Sequence, residues 1–112
     1  MSVLHEQSRT VGQRIAAARQ RAGLSIRDLA DRIGWPRDTL VNYELGRRAI
    51  TIERLDQIAD ALGICAAALL IKDEQLAALL TRLASSPALL AHVRFFVDTL
   101  DDDIPSDPTG RA

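Results

Sequence analysis

Cysteine occurs once in the 112 residues, at Cys65, so no internal disulfide can form and packing alone must hold the fold. One thiol also fits a reducing compartment. Aromatic residues number four, Trp35, Tyr43, Phe95 and Phe96, so the core must be built from Leu, Ile, Val and Ala. Runs alternating Val, Thr and aromatics, the mark of strands, are absent, which leaves helices. The longest uninterrupted apolar run is Ile64 to Ile71, eight residues, far short of the ~20 that a membrane span needs. The opening MSVLHEQSRT has no basic segment leading into an apolar one, so no signal peptide is read there. A soluble, cytoplasmic protein with no membrane partner is expected.

Metal and catalytic patterns are missing too. No zinc-ligand spacing and no phosphate-binding loop occurs. His5 and His92 stand apart from any Ser, Cys or Asp arranged for catalysis. Cys65 falls between apolar helices and reads as a buried, inert thiol. Asp101, Asp102 and Asp103 are consecutive and do not converge on a point, so they read as a solvated helix end. No enzyme, metal or cofactor is expected.

What is present is a charge asymmetry. The net charge of −1 divides into nine Arg against five acids in residues 1–50, and five cations against ten acids in residues 51–112. The halves thus carry +4 and −5, a contrast that points to a partner for the basic half. Thirteen arginines accompany a single lysine, Lys72, so arginine abundance alone says little about phosphate binding.

Residues 1–10 are polar and expected to be flexible. Apolar residues then recur at Val11, Ile15, Ala18 and Ala22 with the 3.6-residue period of a helix, closed by Gly23. Ser25 caps a second helix, with Asp28 three residues on as a weaker version of the usual capping-box acid and Ile26, Leu29, Ala30 and Ile33 facing inward. Gly34 ends it. Pro36 opens a third helix, where the first amides lack intrahelical partners anyway; Leu40 and Tyr43 face inward and Gly46 stops it. Thr51 caps a fourth with an inner face of Ile52, Leu55, Ile58, Ala59 and Leu62, ended by Gly63, and Cys65 to Ile71 makes a short fifth.

Two brief helices joined by Ile33-Gly34-Trp35-Pro36 match the helix-turn-helix arrangement, a motif that presents its second helix to the DNA major groove. The stretch from Val11 to Leu70 closely resembles the Cro/repressor-like (XRE-type) helix-turn-helix family. The likeness rests on Ile15 and Arg19, Gly-Leu-Ser at 23–25, Leu29-Ala30, Ile33-Gly34, Glu44-x-Gly46, Leu55, Ile58-Ala59 and Leu62-Gly63.

The resemblance implies double-stranded DNA as partner, with base-edge contacts from Arg37, Asp38, Val41 and Asn42. The residue chemistry agrees. Arginine pairs with guanine, asparagine with adenine, and valine packs on a thymine methyl. Asp38 has two open readings, an acceptor for cytosine N4 or a first-turn acid favoured by the helix dipole. The resemblance also puts Arg47 and Arg48 along the DNA backbone, with Thr39 and Arg27 as further backbone contacts, and makes Arg19 and Glu44 a structural ion pair. Other arginines, including Arg54, Arg82 and Arg94, read as solvated charges. Three positions depart from the family pattern: Ile26 where Gln is frequent, Pro36 where a Ser or Thr commonly caps, and a bulky Trp35 in the turn, read as a lid on the core.

Residues 73–84 and 88–100 carry two further apolar faces, with Ser86-Pro87 between them as a cap and first-turn proline. The overall expectation is an all-α chain. A five-helix repressor-like domain over 11–71 precedes a helical hairpin over 72–101 and a disordered acidic tail over 102–112. Leu90, Val93, Val97 and Leu100 are expected to dimerise the chain, a means of engaging two DNA half-sites. The alternatives are a hairpin that only packs on the first domain, or one that binds a different protein.

Overall fold

Ser25 and Asp28 show how local sequence sets the fold. The Ser25 hydroxyl accepts from the Asp28 amide at 3.0 Å, and the Asp28 carboxylate accepts from the Ser25 amide at 3.0 Å. That reciprocal box is complete, although aspartate is a shorter acid than the usual glutamate. The Ser25 amide first, and the Ser25 hydroxyl second, hold the Asp28 carboxyl below the ordinary aspartate range.

The computed structural model describes residues 3–103. Its helices are α1 (Val3–Arg21), α2 (Ile26–Ile33), α3 (Arg37–Glu44), α4 (Ile52–Leu62), a 3-10 turn (Ala66–Leu69), α5 (Glu74–Ser85) and α6 (Pro87–Asp103). Among the described residues there is no strand.

The core lies between α1, α2, α3, α4 and the 3-10 turn. Ile15, Leu29, Leu40, Ile58 and Leu69 close it with almost no exposure, joined by Ala18, Ala30, Leu55 and Ala59. Burying each large side chain contributes roughly 1.5–3 kcal/mol. Gly34 and Gly63 end α2 and α4 in the left-handed conformation, at φ 90° and 69°, and the amide of each bonds back into its helix.

Several details differ from the sequence reading. The flexible N-terminus expected over 1–10 is helical from Val3 onward, so α1 starts eight residues before its apolar periodicity does. The reason is tertiary. Gly46, at φ 72°, lets the end of α3 sit against the backbone of Arg9, where a Cβ would come within 2.5 Å of the Arg9 Cα. Ala22 lies exposed in the turn after α1, and Leu24 packs on the core instead. Ile52, expected on the inner face of α4, is 84% exposed and lies outside the core, which α4 enters at Leu55. Cys65 is half-buried rather than buried.

α5 packs on the 3-10 turn, and its N-cap Asp73 accepts from the Gln75 and Leu76 amides. Ser86 Oγ accepts from the Leu89 amide at the start of α6. The chain bends by 116° between α5 and α6, so the hairpin is an open one and α6 rests against α5. The Cα radius of gyration, 17.6 Å, exceeds the ~13 Å of a compact chain of this length, as a projecting arm requires. Among the described residues no single helix is long and apolar enough to cross a membrane. Asp102 and Asp103 continue α6; the rest of the expected disordered tail lies outside the described residues.

Candidate nucleic-acid interface

α3 is only eight residues long, and its N-cap residue, Pro36, makes no side-chain cap bond. A helix this short is not stable alone in water, so its pose is set by what it packs against. Leu40, Tyr43 and Glu44 are buried. By helical spacing the opposite side then carries Asp38, Val41 and Asn42, with Arg37 at its edge. Arg37 and Asp38 are exposed, Val41 and Asn42 half-buried. Arg37 precedes Val41, and Asp38 precedes Asn42, by one turn, so the four form two adjacent rows. The Arg37 guanidinium lies 3.8 Å from the Asp38 carboxylate, with 57% and 91% side-chain exposure. A pair so exposed is weak and leaves Arg37 free to exchange partners.

The buried side of α3 is tied to α1 by an ion pair. Arg19 Nε donates to Glu44 Oε2 at 2.8 Å, and Nη2 donates to Oε1 at 3.0 Å. Arg19 Nη1 also donates to the Leu24 carbonyl at 2.9 Å. The hydrogen bonds to Glu44 raise the Arg19 guanidinium above its ordinary value. Gly12 meets the carbonyls of Tyr43 and Glu44 so closely that no side chain would fit. Backbone thus lies on backbone where α1 crosses the last turn of α3.

The expected backbone contacts fall around this helix. Arg27 is exposed on α2, Thr39 is half-buried on the side of α3, and Arg47 and Arg48 are exposed in the loop after it. That loop is ordered by three backbone bonds, Leu45 N to Val41 O, Gly46 N to Tyr43 O and Arg47 N to Asn42 O. An aromatic cluster flanks it. The Trp35 and Tyr43 rings lie 5.8 Å apart at 59°. The Arg54 guanidinium sits 5.2 Å from the Trp35 centroid and 5.7 Å from that of Tyr43, and its Nη1 donates to Tyr43 Oη at 2.7 Å. Arg48 lies 5.8 Å from the same Tyr43 ring.

On the arm, Leu90, Val97 and Leu100 are 41%, 45% and 38% exposed and Val93 is half-buried. Among the described residues, no group of three or more His, Cys, Asp or Glu converges as a metal site would need. A groove of about 480 Å³ runs between α1, the 3-10 turn and α5, with an alanine-rich floor that includes Ala17, Ala68 and Ala77.

A helix-turn-helix family model matches residues 15–70, half of the chain. The chain belongs to the XRE-type helix-turn-helix family. Among solved structures it resembles the transcriptional regulator BswR, at 27% identity and TM-score 0.67, over 79% of this chain and 92% of that one. It also resembles the clp gene regulator ClgR from C. glutamicum, at 26% identity and TM-score 0.56, over 62% of this chain and 87% of that one. No curated protein matches. The BswR likeness extends past the segment that defines the family, which omits α5 and α6.

Three residues of this XRE-type chain escape a reading by motif. Arg54, read as a solvated charge, is clasped by two rings; its signal was the presence of the only Trp and the only Tyr at the two ends of α3. Leu45, one turn after Val41, extends the outer face of α3 and is 53% exposed. Phe95 is 75% exposed and lies about 200° round α6 from both Val93 and Val97, off the apolar stripe.

Proposed function

We propose that this XRE-family chain is a sequence-specific, double-stranded-DNA-binding transcriptional regulator that acts in the cytoplasm, a repressor occupying a palindromic operator as a homodimer. Its family and its likeness to two regulators support the DNA-binding regulator. The observation that carries the reading is the pose of α3, pinned by Leu40, Tyr43 and the Arg19–Glu44 pair with its opposite face open. On that face Arg37 pairs with guanine and Asn42 with adenine, while Val41 packs on a thymine methyl. Asp38 accepts from cytosine N4 in the bound state and, in the free chain, shares Arg37. Arg27, Thr39, Arg47 and Arg48 hold the phosphates and fix the register without reading sequence.

Dimerisation through α5 and α6 rests on their exposed apolar side chains. Leu76, Leu79, Leu90, Phe96, Val97 and Leu100 are all more than a third exposed, a density that marks an interaction surface. A second copy would cover the Leu90–Val93–Val97–Leu100 stripe and place two α3 helices on adjacent major grooves. Phe95, facing away from that stripe, favours a second reading in which another protein also docks on the arm.

Selection from a random-sequence duplex library tests the proposal. Enrichment of an inverted repeat with half-sites about one helical turn apart is expected. Recovery of no motif at low salt would reject sequence-specific binding, and a single unrepeated half-site would reject the dimer.

A further inference from the structure

We propose that Arg54 and Arg48, set around the ring of Tyr43, form a phosphate-binding site on the α4 flank of the recognition helix, so that α4 as well as the loop grips the DNA backbone. The inference rests on the DNA-binding reading and extends it to a residue outside the motif.

The argument begins with charge. Two guanidiniums lie within 5.8 Å of the centroid of one ring. Among the described residues no carboxylate comes within ion-pair distance of either, although five acids, Asp38, Glu44, Glu53, Asp56 and Asp60, lie on the two helices that supply the cluster. Glu44 is committed to Arg19. Two cations beside one ring, with no carboxylate against either, leave a local positive charge that an anion would offset.

Geometry supplies the second part. The Arg54 head lies against the Trp35 ring and at the hydroxyl edge of Tyr43, bonded to its Oη, so its planar fork is held before any ligand arrives. A guanidinium has five N–H donors, and among the described residues only one of those on Arg54 is used. Tyr43 Oη accepts that bond, which leaves its own proton for an anionic oxygen. A fixed fork that retains free donors suits a phosphate, the group arginine meets bidentately.

Position supplies the third. Tyr43 follows Thr39 by one turn on the same side of α3, so the cluster continues the line of the Thr39 backbone contact. It lies off the face formed by Asp38, Val41 and Asn42. A cation there meets the sugar-phosphate chain rather than base edges, and contributes affinity and register without sequence preference.

Salt dependence distinguishes a phosphate-binding arginine from a structural clasp. Affinity of the full chain for a fluorescein-labelled mixed-sequence duplex would be measured by anisotropy over a range of salt concentrations. Removing a side chain that neutralises one phosphate should make the slope of log K against log salt shallower by ~0.9. Arg54→Gln is expected to flatten the slope by about that much, and Arg48→Gln the same. Arg54→Lys keeps the charge and is expected to keep the parental slope while binding more weakly, because the fork is gone. A folded Arg54→Gln protein with the parental slope overturns the proposal. So does an Arg54→Lys protein whose slope falls by the full ~0.9, a test that survives if the glutamine variant does not fold. A parent chain that binds no duplex at low salt removes the DNA-binding reading itself.

Discussion

Replacing Glu44 with alanine measures how firmly α3 is held. Arg19 and Glu44 are joined by two short charge-assisted bonds, with 11% and 6% of their side chains exposed. Alanine removes both acceptors and leaves the guanidinium with the Leu24 carbonyl alone. Breaking one side of a buried pair costs about 3–5 kcal/mol, since the remaining charge stays out of water without compensation. At 0.05–0.15 kcal/mol per residue, the stability of the unit Val3–Leu69 is roughly 3–10 kcal/mol in total, so the loss is a large part of it. The lower figure alone lowers the melting temperature by about 12–24 °C. Because the bonds to Glu44 raise the Arg19 guanidinium, the contribution is full below its unfolded value and fades only as pH climbs through the raised folded one, beyond working buffers. Urea titration followed by circular dichroism measures the effect. Arg19→Met, Glu44→Leu and their double variant form a separate cycle, and the double variant should recover most of the loss, because an apolar pair can replace a buried ion pair at little cost. A Glu44→Ala effect below about 1 kcal/mol, the range of an exposed pair, would refute the reasoning. So would strict additivity of the single replacements.

Arg37→Ala should cost ~1–3 kcal/mol of operator affinity and relax preference at one base, while Arg48→Ala weakens all sequences alike; binding to a set of single-base operator variants separates the two. Gly46→Ala should destabilise by about 1–3 kcal/mol from left-handed strain alone, with more from the clash on Arg9, read as a lower urea midpoint. Val97→Glu should convert the proposed dimer into a monomer by light scattering, whereas Phe95→Ser should leave it dimeric; loss of that dimer in the second variant would move the proposed interface to the other side of α6. The depressed Asp28 carboxyl implies a cap that contributes above the ordinary aspartate range and is lost as pH falls through the folded value. The melting-temperature gap between the parent and Asp28→Ala should therefore close on acidification.

The helix boundaries were legible where the sequence carries a local stop or start. Ser25, Gly34, Thr51, Gly63 and Ser86 act on their own neighbours, and each marks an end found in the structure. Placing Leu40 and Tyr43 inside needed only the period of α3. The misreadings arose where a distant contact decides. Residues 3–10 have no apolar stripe of their own, and their helix runs beside Gly46, which a single-segment reading cannot foresee. Ile52 looks like a core residue by spacing, yet it is 84% exposed and α4 enters the core only at Leu55. Arg54 belongs to no motif, and the only Trp and the only Tyr hint at a partner for it only once folding places it beside them.

These distant contacts converge on one short helix. α3 lacks the length and the side-chain cap that would stabilise it locally, and its N-cap proline offers no hydroxyl. Its inward positions are held by different partners. Glu44 bonds to Arg19 on α1, Leu40 fills the core, Tyr43 is clasped by Arg54 of α4, and its final carbonyls lie against Gly12. Trp35, bulky for a turn, is what gives Arg54 a second ring and so links the turn to α4. A base-reading helix gains specificity only if its side chains cannot shift to suit a wrong base, and a reading face built on loosely held turns would yield. The departures from the family pattern at Trp35 and Pro36 therefore have a common physical account. The hydroxyl cap that would have fixed the start of α3 from within is absent, and the Trp35–Arg54–Tyr43 clasp holds the same turn from outside.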